Sequence, residues 1–296
     1  MGLENALGEV TLVLFTTLAP SGVIACLILG AALLSKRIDG KHREALNKFL
    51  SIPVLVALVG LVASATHLGN PGNALYVLAG VGRSPLSNEV LSGGVFFGLV
   101  GSYWFYSFTQ TRRPRLERAW VVLFMVFGLV FLCGIALAYK VDTIVTWDTP
   151  LVPLNLVLNA LIGGPLLALC TLAAARSSCG RQDSAPAELR ISRILVIASA
   201  AALVANTAGY IAQNAIASPM SNAIVTFEQL VPAHPMGIAA FAVLCAIGIA
   251  IDARALKQGR VPTIPETSAA TLLALAGIFI MRFMFYMSHM TVGVAY

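Results

Sequence analysis

Ala119-Trp-Val-Val-Leu-Phe-Met-Val-Phe-Gly-Leu-Val-Phe-Leu-Cys-Gly-Ile-Ala-Leu-Ala-Tyr139 is a stretch of 21 residues without a formal charge, preceded by Arg112, Arg113, Arg115 and Arg118 and followed by Lys140. The hydrocarbon core of a bilayer is about 30 Å thick, and a helix rising about 1.5 Å per residue crosses it in roughly 20 residues. The stretch has the length and the flanks of one crossing. It is too long and too evenly apolar to be a barrel strand, whose residues alternate, and its backbone amides must be satisfied within the segment, so it reads as a helix.

Seven more runs of this kind lie on either side, at 10–34, 49–68, 90–108, 151–175, 194–217, 236–251 and 269–288. They account for a composition that is 58% hydrophobic and only 11% charged, with a mean hydropathy of +0.86. Soluble domains carry about 25% charged residues. The fold class expected is therefore an all-α integral membrane protein, a bundle of eight transmembrane helices forming one domain over residues 1–296.

Charge placement supports that count, because basic residues collect in cytoplasmic loops. With eight helices and both termini outside, 16 of the 19 Lys and Arg residues fall in inner loops; the others are Arg83, Lys140 and Arg282. A seven- or nine-helix count scrambles the alternation. The net charge of +6 is then a consequence of topology that suits an anionic leaflet, and it calls for no nucleic acid. Residues 1–10 carry Glu4 and Glu9 and no basic residue, so they do not read as a leader and they agree with an exported N-terminus.

The five cysteines, Cys26, Cys133, Cys170, Cys179 and Cys245, stand singly with no C-x-x-C spacing, so neither an iron–sulfur cluster nor a metal site is expected in this chain. Gly94 and Gly98 form a G-x-x-x-G pair that suggests close helix packing, and Gly163-Gly-Pro165 suggests a break in the fifth helix.

Polar residues that a membrane tolerates gather toward the expected outer face. His67 ends the second run, and a segment rich in turn formers leads through Arg83 to Leu86-Ser-Asn-Glu89 at the start of the third. His67 and Glu89 thus flank one outer hairpin. A histidine is suited to accept a proton from a hydroxyl at the membrane edge and a glutamate to pass it outward, chemistry that fits a lipid-borne quinol. Arg282, Tyr286 and His289 recur at helical spacing on the last run, and an intramembrane arginine points to function or to a watery cavity. Asn206, Tyr210 and Gln213 form a comparable stripe that reads as interhelical hydrogen bonding.

Taken together, several segments resemble the membrane anchor subunit of bacterial dimethyl sulfoxide (DMSO) reductase. They are His67-Leu-Gly-Asn-Pro, Leu86-Ser-Asn-Glu89 with Ser92-Gly and Phe96-Phe97, Val141-Asp-Thr-Ile-Val-Thr-Trp147, Gly163-Gly-Pro-Leu-Leu167, Arg282 with Phe285-Tyr286, and His289-Met-Thr-Val-Gly293. One departure is Val145, where the family usually has proline. The resemblance implies a multi-pass protein of the bacterial cytoplasmic membrane that takes menaquinol from the quinone pool as bound substrate. It implies two partners, an iron–sulfur (ferredoxin-like) electron-transfer subunit and a molybdopterin catalytic subunit, and no heme, cluster or metal in the anchor. It places His67, Gly69 and Glu89 at the quinol, with His67 and Glu89 handling protons; Arg282, Tyr286 and His289 are added to the quinol site from their shared face.

Two other readings remain at this level. A heme-bearing anchor needs facing histidine pairs, and of the four histidines His42 and His234 are expected in loops. A small-solute transporter needs broken helices and polar groups near the midplane.

Overall fold

The computed structural model describes residues 1–35, 40–66, 71–109, 113–180 and 185–292, with the backbone alone for 71–75. The helices are α1 (Gly2–Gly8), α2 (Val10–Leu34), α3 (Gly40–Phe49), α4 (Ser51–Thr66), α5 (Pro85–Tyr106), α6 (Pro114–Ala138), α7 (Leu151–Ser178), α8 (Pro186–Ala217), α9 (Phe227–Leu230), α10 (His234–Lys257) and α11 (Ile264–Met287), with a 3₁₀ helix at Pro71–Gly80 before α5. The only β pairing among the described residues is two isolated bridges.

Among the described residues seven helical spans are long and apolar enough to cross a membrane; α3 and α4 count as one of them, Gly40–Thr66. The remaining run lies in α5, which is 22 residues long. Its first turns carry Ser87, Asn88, Glu89 and Ser92, and it is not among those seven spans.

α2 is the axis of the bundle. It packs against α4, α6, α7 and α11, and Phe15, Ala19, Val23, Cys26 and Leu29 are fully buried on it. Lipid gives no hydrophobic drive between helices, so small residues that admit close backbones decide which faces meet. Gly22 of α2 lies against Pro53 and Ala57 of α4, and Gly163 and Gly164 of α7 lie against Ser21 and Ile24 of α2. The expected break at Gly163-Gly-Pro165 does not occur: α7 runs unbroken through Pro165, and the two glycines serve as a seat for α2. Gly94 and Gly98 do not make a close approach either, since a Cβ at either would meet nothing within 4 Å; the neighbouring Gly93 does, against Phe131 of α6.

Leu55, Val59 and Val62 on α4, Val126 and Leu129 on α6, and Ile197 and Val204 on α8 are exposed. Such apolar faces are what a lipid-facing helix presents. At one end of the bundle the basic residues collect, and Arg43–Glu117, Arg176–Glu188 and Arg260–Glu266 pair there. Glu266 also closes a capping box with Thr263 that starts α11. The opposite end, the Trp147 end, carries residues 140–150, 218–233 and 288–292. His42 and His234 are not in loops: His42 lies in α3, and His234 opens α10 with its ring buried.

Candidate functional site

The last turns of α11 supply the centre of the site. Arg282 is 2% exposed, and its Nε donates to Thr16 Oγ1 of α2 at 2.9 Å. Its guanidinium carbon stands 4.1 Å from the ring centre of Phe285, 5.4 Å from that of Tyr139 and 5.5 Å from that of Tyr286. Desolvated cation–π contacts of this kind contribute on the order of 2 kcal/mol, a part of what burying the charge costs.

The aromatic wall is held by a strap. Trp147 stacks on Phe285 with centroids 4.3 Å apart and planes 19° apart, and its Nε1 donates to Phe285 O at 3.1 Å and Ser288 Oγ at 3.3 Å. Thr146 donates to Ser288 O, Val145 N to Met290 O at 2.9 Å and Val292 N to Thr143 O at 3.1 Å. Residues 143–147 and 285–292 therefore form one unit, although they are far apart in sequence. Val145, the departure from the family pattern, adds a bond here that a proline, lacking an N–H, would not make. Lys140 and Asp148 pair at 3.1 Å across the foot of the same loop.

Glu89 sits in the second turn of α5, 3% exposed. Ser84 caps the helix through Ser87 N, and Gly134 of α6 lets the two backbones meet beside Glu89. The loop before α5 turns at Gly82, whose φ of +81° lies in the left-handed region glycine favours, and Gly82 N donates to Asn88 Oδ1 at 2.8 Å. Glu89 Oε2 has no hydrogen-bond partner among the described residues. The carboxyl acts electrostatically on the Tyr139 hydroxyl, as Arg282 and Tyr286 do. Arg282, Tyr286, Thr16 and the half-buried Tyr139 thus form one polar group at the Trp147 end, drawn from α11, α2 and the end of α6, and the buried carboxyl of Glu89 on α5 lies at the same end.

The structure brings Glu89, Arg282 and Tyr286 together. It does not bring His289 with them: that ring is exposed at the edge of Trp147, 5.2 Å between centroids and nearly perpendicular. His67 and Gly69 lie outside the described residues; α4 ends at Thr66 and the chain is described again from Pro71. Thr16 and Tyr139 had no signal as single residues in apolar runs, whereas Trp147 belonged to a family-like segment without an assigned role. The stripe on α8 does make interhelical bonds. Asn206 Nδ2 donates to Asn159 Oδ1 at 2.6 Å, Asn159 Nδ2 to Tyr210 Oη at 2.7 Å, and Asn155 Nδ2 to Gln213 Oε1 at 2.7 Å. Among the described residues no three His, Cys, Asp or Glu side chains are grouped to hold a metal ion.

The profile of the "DMSO reductase anchor subunit (DmsC)" family matches residues 3–287. The C subunit of the anaerobic dimethyl sulfoxide reductase of Escherichia coli (strain K12) is 32% identical over 238 residues, 80% of this chain and 79% of that protein. The protein of the same name from Haemophilus influenzae (strain ATCC 51907 / DSM 11121 / KW20 / Rd) is 30% identical over 291 residues, 98% of each protein. The YnfH subunit of an anaerobic dimethyl sulfoxide reductase of Escherichia coli (strain K12) is 29% identical over 292 residues, again 98% of each.

Proposed function

Because the chain belongs to the DMSO reductase anchor subunit family, and so is a multi-pass membrane anchor that works with catalytic and electron-transfer subunits, we propose that it is the subunit that oxidises menaquinol. In this reading eight helices cross the bacterial cytoplasmic membrane, α5 included, with both termini and the Trp147 end outside. The clustering of basic residues at the other end supports that orientation.

The observation that carries the reading is that a carboxyl and a guanidinium, Glu89 and Arg282, are both buried at this end without forming an ion pair among the described residues. Membranes retain such groups for function. The quinol head group enters between the end of α4 and the start of α5. One hydroxyl donates a hydrogen bond to His67 where the chain passes Gly69, and Glu89 accepts the second proton. Arg282 and the Tyr286 hydroxyl favour the negative charge that grows on the quinol oxygen as its proton leaves, in a setting where water does not screen them. His289 belongs to the rim. Oxidation of one quinol releases two protons, which leave at the Trp147 end, and two electrons. The electrons pass to the iron–sulfur subunit and from it to the molybdopterin subunit. Docking of the iron–sulfur subunit on residues 69–88, 140–150 and 218–235 puts its nearest cluster close to the quinol. With protons and electrons both leaving outward, the anchor moves no net charge across the membrane.

The test is titration of the purified complex with a fluorescent quinol-site inhibitor, wild type against His67→Ala. Binding lost in a folded variant supports the site; binding unchanged removes it from the end of α4.

A further inference from the structure

One nitrogen of the buried Arg282 guanidinium has no hydrogen-bond partner among the described residues. Nε is used by Thr16, but Nη2 has no hydrogen-bond partner, and the side chain forms no ion pair among the described residues. A guanidinium does not shed its proton to escape burial. A buried charge is paired, coordinated or very costly. No ion pair joins Glu89 to Arg282 among the described residues, the guanidinium lies over the rings of Tyr139 and Phe285, and the nearby Tyr286 hydroxyl leaves Nη2 without a partner.

Between α7, α8, α10 and α11, Arg282 lines a cavity of about 20 Å³ together with Thr146, Tyr210, Gln213, His234 and Ser288. That volume holds one water or one halide ion and is far too small for a quinone ring. The bonds already made fix what the lining can offer. Tyr210 Oη accepts from Asn159, which leaves its own proton to donate; Gln213 Oε1 accepts from Asn155, which leaves the amide N–H groups. Arg282 and Tyr210 line the same cavity. Among the described residues no Asp or Glu lines the cavity, whose lining also holds the unpartnered amide oxygen of Asn155. One fixed positive charge on α11, two spare donors on α8 and no carboxylate make a donor set for an anion.

We propose that the cavity beside Arg282 is a site for a small monovalent anion, chloride in the cell, held by Arg282 Nη2, the Tyr210 hydroxyl and the Gln213 amide as the counter-ion of the buried guanidinium. The site stands whether or not the neighbouring polar group oxidises quinol. Where both hold, the ion tempers the field that Arg282 exerts on Tyr139 and Glu89.

The experiment is thermal unfolding of the full chain in detergent at one ionic strength in sodium chloride, sodium bromide or sodium gluconate, whose anion is too large to enter. In wild type the midpoint is expected to be about 5 °C higher in either halide than in gluconate when the halide is present at a hundredfold its dissociation constant. Tyr210→Phe and Gln213→Leu, each removing one donor, are expected to raise the half-saturating chloride concentration at least fivefold, and Arg282→Gln to abolish the dependence. Should Arg282→Gln not fold, the two donor variants decide. A density map of the bromide-loaded chain should show the ion beside Nη2. A wild-type midpoint equal in chloride and gluconate, a halide response unchanged in both donor variants, or a water in place of bromide in the map would each overturn the proposal.

Discussion

The two ends of the bundle each bring together a tyrosine, a glutamate and an arginine, and they treat them differently. At the basic end the Tyr103 hydroxyl donates to Asn47 Oδ1 at 2.9 Å and to Glu117 Oε1 at 3.4 Å, and Glu117 faces Arg43 at 3.9 Å. Opposite charges meet there, beside solvent, and tie α3, α5 and α6 together. At the Trp147 end Glu89 and Arg282 are buried more deeply and form no ion pair with each other. The first arrangement is what a structure needs in order to stand. The second costs stability and persists because something other than stability requires it.

The largest consequence concerns turnover. Glu89→Gln, which keeps shape and removes the proton acceptor, should slow quinol oxidation by the complex by about a hundredfold. The same variant should unfold at no lower temperature than wild type, because it removes a buried carboxyl that has no ion pair. A parallel loss of stability would mean that Glu89 is structural, and the contrast between the ends would collapse. Gly164→Ala puts a methyl group where Ile24 packs, and overpacking of this kind should cost about 1–3 kcal/mol, read as a lower unfolding midpoint. Asn159→Leu cuts the chain of amides between α7 and α8 and should cost about 1 kcal/mol with turnover preserved. Glu117→Gln should cost less than about 1 kcal/mol, since its arginine partner is partly solvated, and should leave turnover unchanged; a drop in turnover would show that the two ends are not separable. Gly94→Ala, at a position with open space around it, should change stability by less than about 0.5 kcal/mol.

Helix existence was legible because a long apolar run has to satisfy its backbone within itself, and α2 begins and ends where its run does, at Val10 and Leu34. Packing was less legible. Gly94 and Gly98 match a pairing pattern yet face open space, whereas Gly163 and Gly164, which read as a helix break, are the seat of α2. A spacing tells which residues share a face and not what that face meets. In the site, Glu89, Arg282 and Tyr286 were visible as polar residues in apolar surroundings. Thr16 and Tyr139 were not, because a threonine in an apolar helix usually bonds its own backbone, as Thr17 does to Val13 O at 2.7 Å, and a tyrosine at a helix end is ordinary at a membrane boundary. His289 shares the face of Arg282 in helical projection, but the helix ends at Met287 and the chain turns it out to the surface.

The claim that quinol is oxidised at the Trp147 end, beside Glu89 and Arg282, is tested most directly by photolabelling the complex with an azido-menaquinone and mapping the modified peptides. Labels confined to the end of α4, the start of α5 and the last turns of α11, and suppressed by excess menaquinol, are the predicted result. Specific labelling at the basic end, with the Glu89 and Arg282 segments unmodified, would contradict it.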